Sequence, residues 1–188
     1  VPITAIDLLL HHTICSSIFS EKSGLGKPLT NGIVPAFNSN CYGGIYDSNI
    51  NSVSISSDKM SLVLEYKNYF AEWESVAPKP FPAHALVLIS EGSSQLVTKE
   101  IGVQAKARFE NAWLTGNTNL LSAFGKIWSN SYILGNVTNA TNPLLLIGNG
   151  GYKIESVTAN DNVTLTYNEK YNSGPRISGI AKIIYKIN

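Results

Sequence analysis

Between short clusters of Gly, Pro and Asn, the chain carries runs in which apolar and polar positions alternate with a period of two. Residues 52–57 set Val53 and Ile55 among serines, and residues 61–70 put Leu62, Leu64 and Tyr66 on one face. The run 84–90 (HALVLIS) is continuously apolar and follows the Pro-rich turn APKPFPA. Residues 95–109 place Ile101, Val103 and Ala105 on one side, with charged and polar residues on the other. The runs 152–159, 162–168 and 177–187 complete the set, and Asn149-Gly150-Gly151 and Asn160-Asp161-Asn162 supply turn chemistry between them. Helical spacing is confined to 111–128, through Leu114, Leu120, Leu121, Phe124 and Ile127. Gly116 and Asn117 interrupt it, so one or two turns are expected there. Many short strands with turn signals about every ten residues predict an all-β sandwich.

The two ends of the chain sharpen this picture. Val1–Leu10 (VPITAIDLLL) is apolar and carries one charge, Asp7. Terminal residues are disordered unless tied down, and an apolar terminus must be covered. It is expected to be a strand, either the first of its own sandwich or one added to the open edge of a neighbouring subunit. In the second case Val1, Ile3, Ile6, Leu8 and Leu10 would fill the neighbour's pockets. A head-to-tail contact of that kind does not close, so it generates a filament. Pro2 restricts the segment to a sheet edge or a strand start. At the other end, Lys182 and Lys186 alternate with Ile183, Tyr185 and Ile187 in a closing strand.

Composition narrows the function classes. Charged residues make up 14% of the chain, against roughly 25% in an ordinary soluble domain. A net charge of +1 offers no basic stripe for nucleic acid. No apolar stretch reaches the roughly 18 residues that a membrane span needs. The start at Val1 is expected to reflect a removed export signal. The small number of carboxylates predicts a fold that tolerates acid.

Two cysteines, Cys15 and Cys41, fit one disulfide, with two buried thiols as the alternative. Three N-x-T sequons begin at Asn136, Asn139 and Asn162, in turn-rich segments where glycan acceptors belong. Both features favour an extracellular setting.

A cysteine-linked N-terminal segment, an all-β body and a closing strand carrying Tyr185 resemble the type-1-like pilins. Low charge, Asn and Ser richness and the sequons are similar to the archaeal thread pilins. The resemblance implies an immunoglobulin-like sandwich over residues 13–188 with residues 1–12 as donor strand. It implies Cys15–Cys41 as a staple and Asn136, Asn139 and Asn162 as glycan carriers. The partners would be identical subunits in a head-to-tail homopolymer, a glycosylated filament at the cell surface. Lys–Asn isopeptide cross-links, found in some pilins, have their residue types here but no readable pairing. The reading from a different class is a secreted monomeric sandwich, an adhesin or carbohydrate-binding module with Trp73, Trp113 or Trp128 as a sugar platform.

Catalytic chemistry finds little footing. His11, His12 and His84 are few and scattered, and adjacent histidines on a strand point to opposite faces, so no metal site is expected. Gly24-Leu25-Gly26-Lys27 lacks the ending and the helix of a phosphate loop. Glu72 and Glu74 flank Trp73, which fits a solvated edge better than a carboxylate pair for sugar hydrolysis. Cys15 near His11 and His12 lacks an orienting third group. No nucleophile, base and orienter can be assembled, and neither an enzyme nor a cofactor is expected.

Overall fold

The computed structural model describes residues 1–15, 37, 45–96, 98–132, 134–138, 140–171 and 179–186. These residues form a mixed α/β architecture, which overturns the all-β sandwich. In chain order they build α1 (Ala5–Cys15), α2 (Ile45–Asn49), β1 (Ile50–Ile55), β2 (Leu62–Tyr66) and α3 (Trp73–Val76). There follow α4 (Ala83–Ser90), α5 (Lys99–Leu114), α6 (Thr118–Ser131) and a 3₁₀ turn (Pro143–Leu146). The strands β3 (Tyr152–Thr158), β4 (Asn162–Tyr167) and β5 (Lys182–Lys186) close the order.

The largest correction is at the N-terminus. The residues read as a donor strand enter helix α1, which packs on α4, α5 and β2. Ile6 and Leu10 are buried in the chain's own core, Leu8 is half-buried, and Val1 and Ile3 precede the helix and remain partly exposed. The core of the chain itself takes Ile6, Leu9, Leu10 and Ile14. Apolar residues at 5, 6, 9, 10 and 14 follow helical spacing, and nearly the whole surface of α1 is covered.

The apolar run 84–90 is helix α4, buried from Ala83 to Leu88 and packed on α5 and α6. A helix covered on every side shows no polar stripe, so its sequence carries neither period. The run 95–109 is not a strand. It leads into α5, whose buried positions Gly102, Ala105, Lys106, Phe109 and Ala112 recur at three- and four-residue steps. Thr98 starts α5 by accepting a hydrogen bond from Ile101 N through its side chain.

Helix α6 is longer than the one or two turns expected, at 14 residues. The interruption at Gly116 and Asn117 is a helix boundary rather than a break within one weak helix. Gly116 has φ +61, Gly116 N bonds Trp113 O, and Asn117 N bonds Ala112 O at 2.9 Å, which together close α5 as a Schellman motif. Asn117 then opens α6, its side chain accepting from Leu120 N.

The period-two runs that do form strands make two antiparallel sheets, β1–β2 and β3–β4–β5. Leu62, Leu64 and Tyr66 share one face of β2 and pack against the helical core with Ile55 of β1. The β3–β4 turn passes through Asn160 at φ 57, a conformation Asn tolerates better than most residues. In the three-stranded sheet Val163 of β4 lies opposite Tyr185 of β5.

The fold makes a direct statement about Leu9, which is fully buried in α1. Leu9→Ala should lower the unfolding free energy of the isolated chain by about 2–5 kcal/mol, measured by urea denaturation. A donor strand free to leave its own subunit would show almost no change.

Candidate functional site

The chemistry of the described residues concentrates around Asp7. Thr4 precedes α1, and Asp7 in its first turn accepts a hydrogen bond from Thr4 N at 2.9 Å through Oδ2. This is a capping arrangement at the helix start. The other oxygen, Oδ1, accepts from Ala83 N at 3.2 Å, at the first residue of α4. Lys106, from the middle of α5, donates through Nζ to Asp7 Oδ2 and to the carbonyl of Pro2. Both side chains are buried. One carboxylate thus joins the start of two helices, where the backbone dipoles favour negative charge, to a cation on a third.

Above this pair lies a cleft of about 230 Å³. Val1, Ile3, Phe81 and Ile147 give it apolar walls, Gly148 and Asn149 border it, and Asp7, Lys106 and His84 supply its polar groups. Phe81 is fixed from two sides. It stacks on His11 with ring centroids 5.0 Å apart and planes 8° from parallel, and it meets Trp128 at 5.0 Å. His11 is held in turn, because its Nδ1 accepts from Lys79 N at 2.7 Å.

His84, on the first turn of α4, is 5% exposed, and its Nδ1 has no hydrogen-bond partner. Burial and the neighbouring Lys106 charge lower its pKa to about 4, with Asp7 pulling the other way. At neutral pH the imidazole is therefore uncharged and presents one N–H donor and one acceptor nitrogen. Burial likewise lowers the pKa of His11. Both oxygens of Asp7 accept hydrogen bonds, Oδ2 from Thr4 and Lys106 and Oδ1 from Ala83. An ammonium has three N–H donors, and two of those on Lys106 are engaged, by Asp7 and Pro2.

A second depression, of about 320 Å³, lies between α1 and the β1–β2 hairpin. Leu8, Leu62, Leu64, Tyr66 and Trp73 line it, and Tyr66 Oη is buried without a hydrogen-bond partner.

The structure distributes the sequence-derived candidates differently from the expectation. Trp73 borders the second depression, whereas Trp128 packs at a tilt against Phe81 and Tyr132. Trp113 packs against the core near His12, so the three tryptophans form no common platform. Glu72 and Glu74 are exposed at the start of the short helix α3. His11 and His12 are neighbours on a helix rather than a strand, His12 Nδ1 lying 2.9 Å from Tyr46 Oη. Cys15 is disulfide-bonded. Cys41, Asn139 and Gly24–Lys27 lie outside the described residues. Asn136 is exposed, with Oδ1 accepting from Ala159 N, and Asn162 opens β4. Asp7 and Lys106 went unassigned in the sequence, although Thr4-x-x-Asp7 before an apolar run is a helix-start signal.

Among the described helices none is long and apolar enough to cross a membrane. Comparison with known proteins finds no matching family model, no matching curated protein and no matching solved structure.

Two outcomes follow from this geometry. Removing one member of the Asp7–Lys106 pair leaves a buried charge, so Asp7→Asn or Lys106→Met should each cost about 3–5 kcal/mol. The double variant should cost less than the sum of the two, as a double-mutant cycle in urea reads out. The second outcome concerns pH. The unfolded chain binds a proton at His84 near pH 6.5, and the folded chain binds it only near pH 4. Stability is thus fully present above pH 6.5 and falls as pH drops towards 4, by up to about 3 kcal/mol from His84. The shift at His11 adds in the same direction. His84→Leu should flatten the decline in urea midpoint between pH 7 and 4; an unchanged slope would contradict the assignment. The acid tolerance expected from few carboxylates is offset by these buried imidazoles.

Proposed function

We propose that this chain is an extracellular, non-catalytic binding module that holds a small organic solute in the cleft over Asp7 and Lys106. The observation that carries this reading is the unpartnered His84 at a cleft with otherwise apolar walls. Small-molecule sites are typically apolar concavities with a few placed polar groups, and this cleft has that composition. The cleft has no Ser, Thr or Cys among its described lining residues. An imidazole whose pKa lies near 4 is a weak base at neutral pH.

The extracellular location rests on the disulfide at Cys15 and on the sequons, with Asn136 exposed to accept a glycan. Disulfides persist in oxidising compartments. The binding module of the sequence reading is retained here without its β-sandwich and without its tryptophan platform.

A filament of identical subunits is the second reading. What supports it is strand β5, which among the described residues pairs with β4 alone and exposes Ile184 and Tyr185. Assembly would then use that strand, since α1 occupies the chain's own core.

The test of the primary reading is thermal unfolding of the full chain with a panel of small sugars, amides, amino acids and alcohols. A ligand at a hundred times its dissociation constant adds about 2.7 kcal/mol to stability, which raises Tm by about 5–10 °C in a chain of this size. Ile147→Trp, which fills the cleft, should abolish the response. A panel without any response, or a response indifferent to Ile147→Trp, contradicts the reading.

A further inference from the structure

We propose that Asn149 is a site of spontaneous deamidation, which replaces a neutral amide at the border of the cleft with a carboxylate. This chemistry is independent of what the cleft binds.

The reaction needs only the chain and water. The backbone nitrogen of Gly150, on losing its proton, attacks Cγ of Asn149 and closes a five-membered succinimide. The bond from Cγ to the side-chain nitrogen breaks, and ammonia leaves with the proton. Water then opens the ring at either carbonyl. The product is aspartate, or isoaspartate in which the main chain runs through Cγ. One water is consumed and one ammonia released, with no oxidant or reductant.

Ring closure needs an unshielded nitrogen, an N–H without an acceptor and a backbone that no ladder of hydrogen bonds holds straight. Gly150 has no Cβ to hinder the approach. Among the described residues Gly150 N donates to no acceptor. Its carbonyl is the bonded group, accepting from Asn168 Nδ2 at 2.9 Å. Asn149 and Gly150 are exposed and lie between the 3₁₀ turn and β3, outside any helix or strand.

The other described asparagines lack this combination, because Asn149 alone among them precedes a glycine. Asn142 precedes Pro143, which has no N–H. Val137 N, after Asn136, donates to Val157 O at 3.0 Å, and Asp161 N, after Asn160, donates to Thr158 O at 3.1 Å. Asn111, Asn119 and Asn130 stand inside helices.

The fold does not require a glycine at 150. A Cβ there would meet nothing nearer than Tyr152 O at 3.7 Å, and its φ lies outside the left-handed region. Gly150→Ala therefore separates the reaction from the structure.

Asn149 borders the same cleft as Lys106 and His84. Each conversion lowers the chain's net charge of +1 by a full unit and sets the new carboxylate at that border. Isoaspartate also adds a main-chain carbon just ahead of Gly150 and Gly151, whose carbonyls accept from the side chain and the amide of Asn168. The cleft of an aged molecule thus differs in charge from that of a new one.

The test incubates the full chain at pH 8 and follows conversion by peptide mass spectrometry. Fragmentation localises it to Asn149, and chromatography separates isoaspartyl from aspartyl peptides. Asn31-Gly32 lies outside the described residues, so the whole-chain mass is not the readout. In the native chain Asn149 should convert at least about tenfold faster than Asn160, and within about tenfold of its own rate in guanidinium-unfolded chain. Gly150→Ala should keep Tm unchanged and slow the conversion at least about tenfold. Conversion confined to the unfolded chain shows that the fold protects Asn149 and overturns the proposal. Aspartate without isoaspartate, or a rate indifferent to Gly150→Ala, means direct hydrolysis instead of ring closure and overturns it as well.

Discussion

The buried carboxylate of Asp7 is the constraint on which the rest of the arrangement depends. It is the one charge in an apolar decapeptide, and an ionised carboxylate cannot enter a protein core alone. The chain meets this requirement from three directions at once, with the amide of Thr4, the amide of Ala83 and the ammonium of Lys106. Each partner belongs to a different part of the fold. The start of α1, the start of α4 and the middle of α5 are thereby fixed relative to one atom group. Leu9 and Leu86 pack into the core that this junction organises, together with Phe109.

The same junction gives the cleft its character. The ion pair at the floor contributes directional hydrogen bonding. Burial above all, with the Lys106 charge adding to it, keeps a proton off His84, so the imidazole remains an uncharged donor and acceptor. Phe81 is positioned between His11 and Trp128, and its amide donates to the Asp7 carbonyl at 3.1 Å. The aromatic wall and the polar floor are consequently parts of one packed unit, which suits recognition by a preformed site.

The strands were the legible part of this sequence. Leu62, Leu64 and Tyr66 alternate cleanly because one face of β2 meets the core and the other meets water. Asn160 marks the β3–β4 turn for a conformational reason that sequence alone can express. The helices were hidden for three separate physical reasons. In α4 burial on all sides removes the polar stripe that would mark a period. In α5 Ile101, Val103 and Ala105 mimic alternation, while the true buried face includes a glycine and a lysine, Gly102 and Lys106. Around α1 the further apolar residues Ile3 and Leu8 blur the helical spacing of 5, 6, 9, 10 and 14, and the clearer cue was the polar pair Thr4 and Asp7. The site was less legible still, because Asp7 and Lys106 are 99 residues apart and meet only through tertiary packing. No motif spacing joins them to His84.

The most direct measurement of the central claim is native-state hydrogen exchange at the amides of Thr4 and Ala83. Both lie at helix starts, where backbone N–H groups have no intrahelical acceptor and ordinarily exchange through local fraying. If the Asp7 carboxylate holds both, they exchange only through global unfolding; Asp7→Asn then releases Thr4 most, because Ala83 N also donates to Phe81 O at 2.7 Å. Fast exchange at either amide in the unaltered chain, with the core of α5 still protected, would contradict the account.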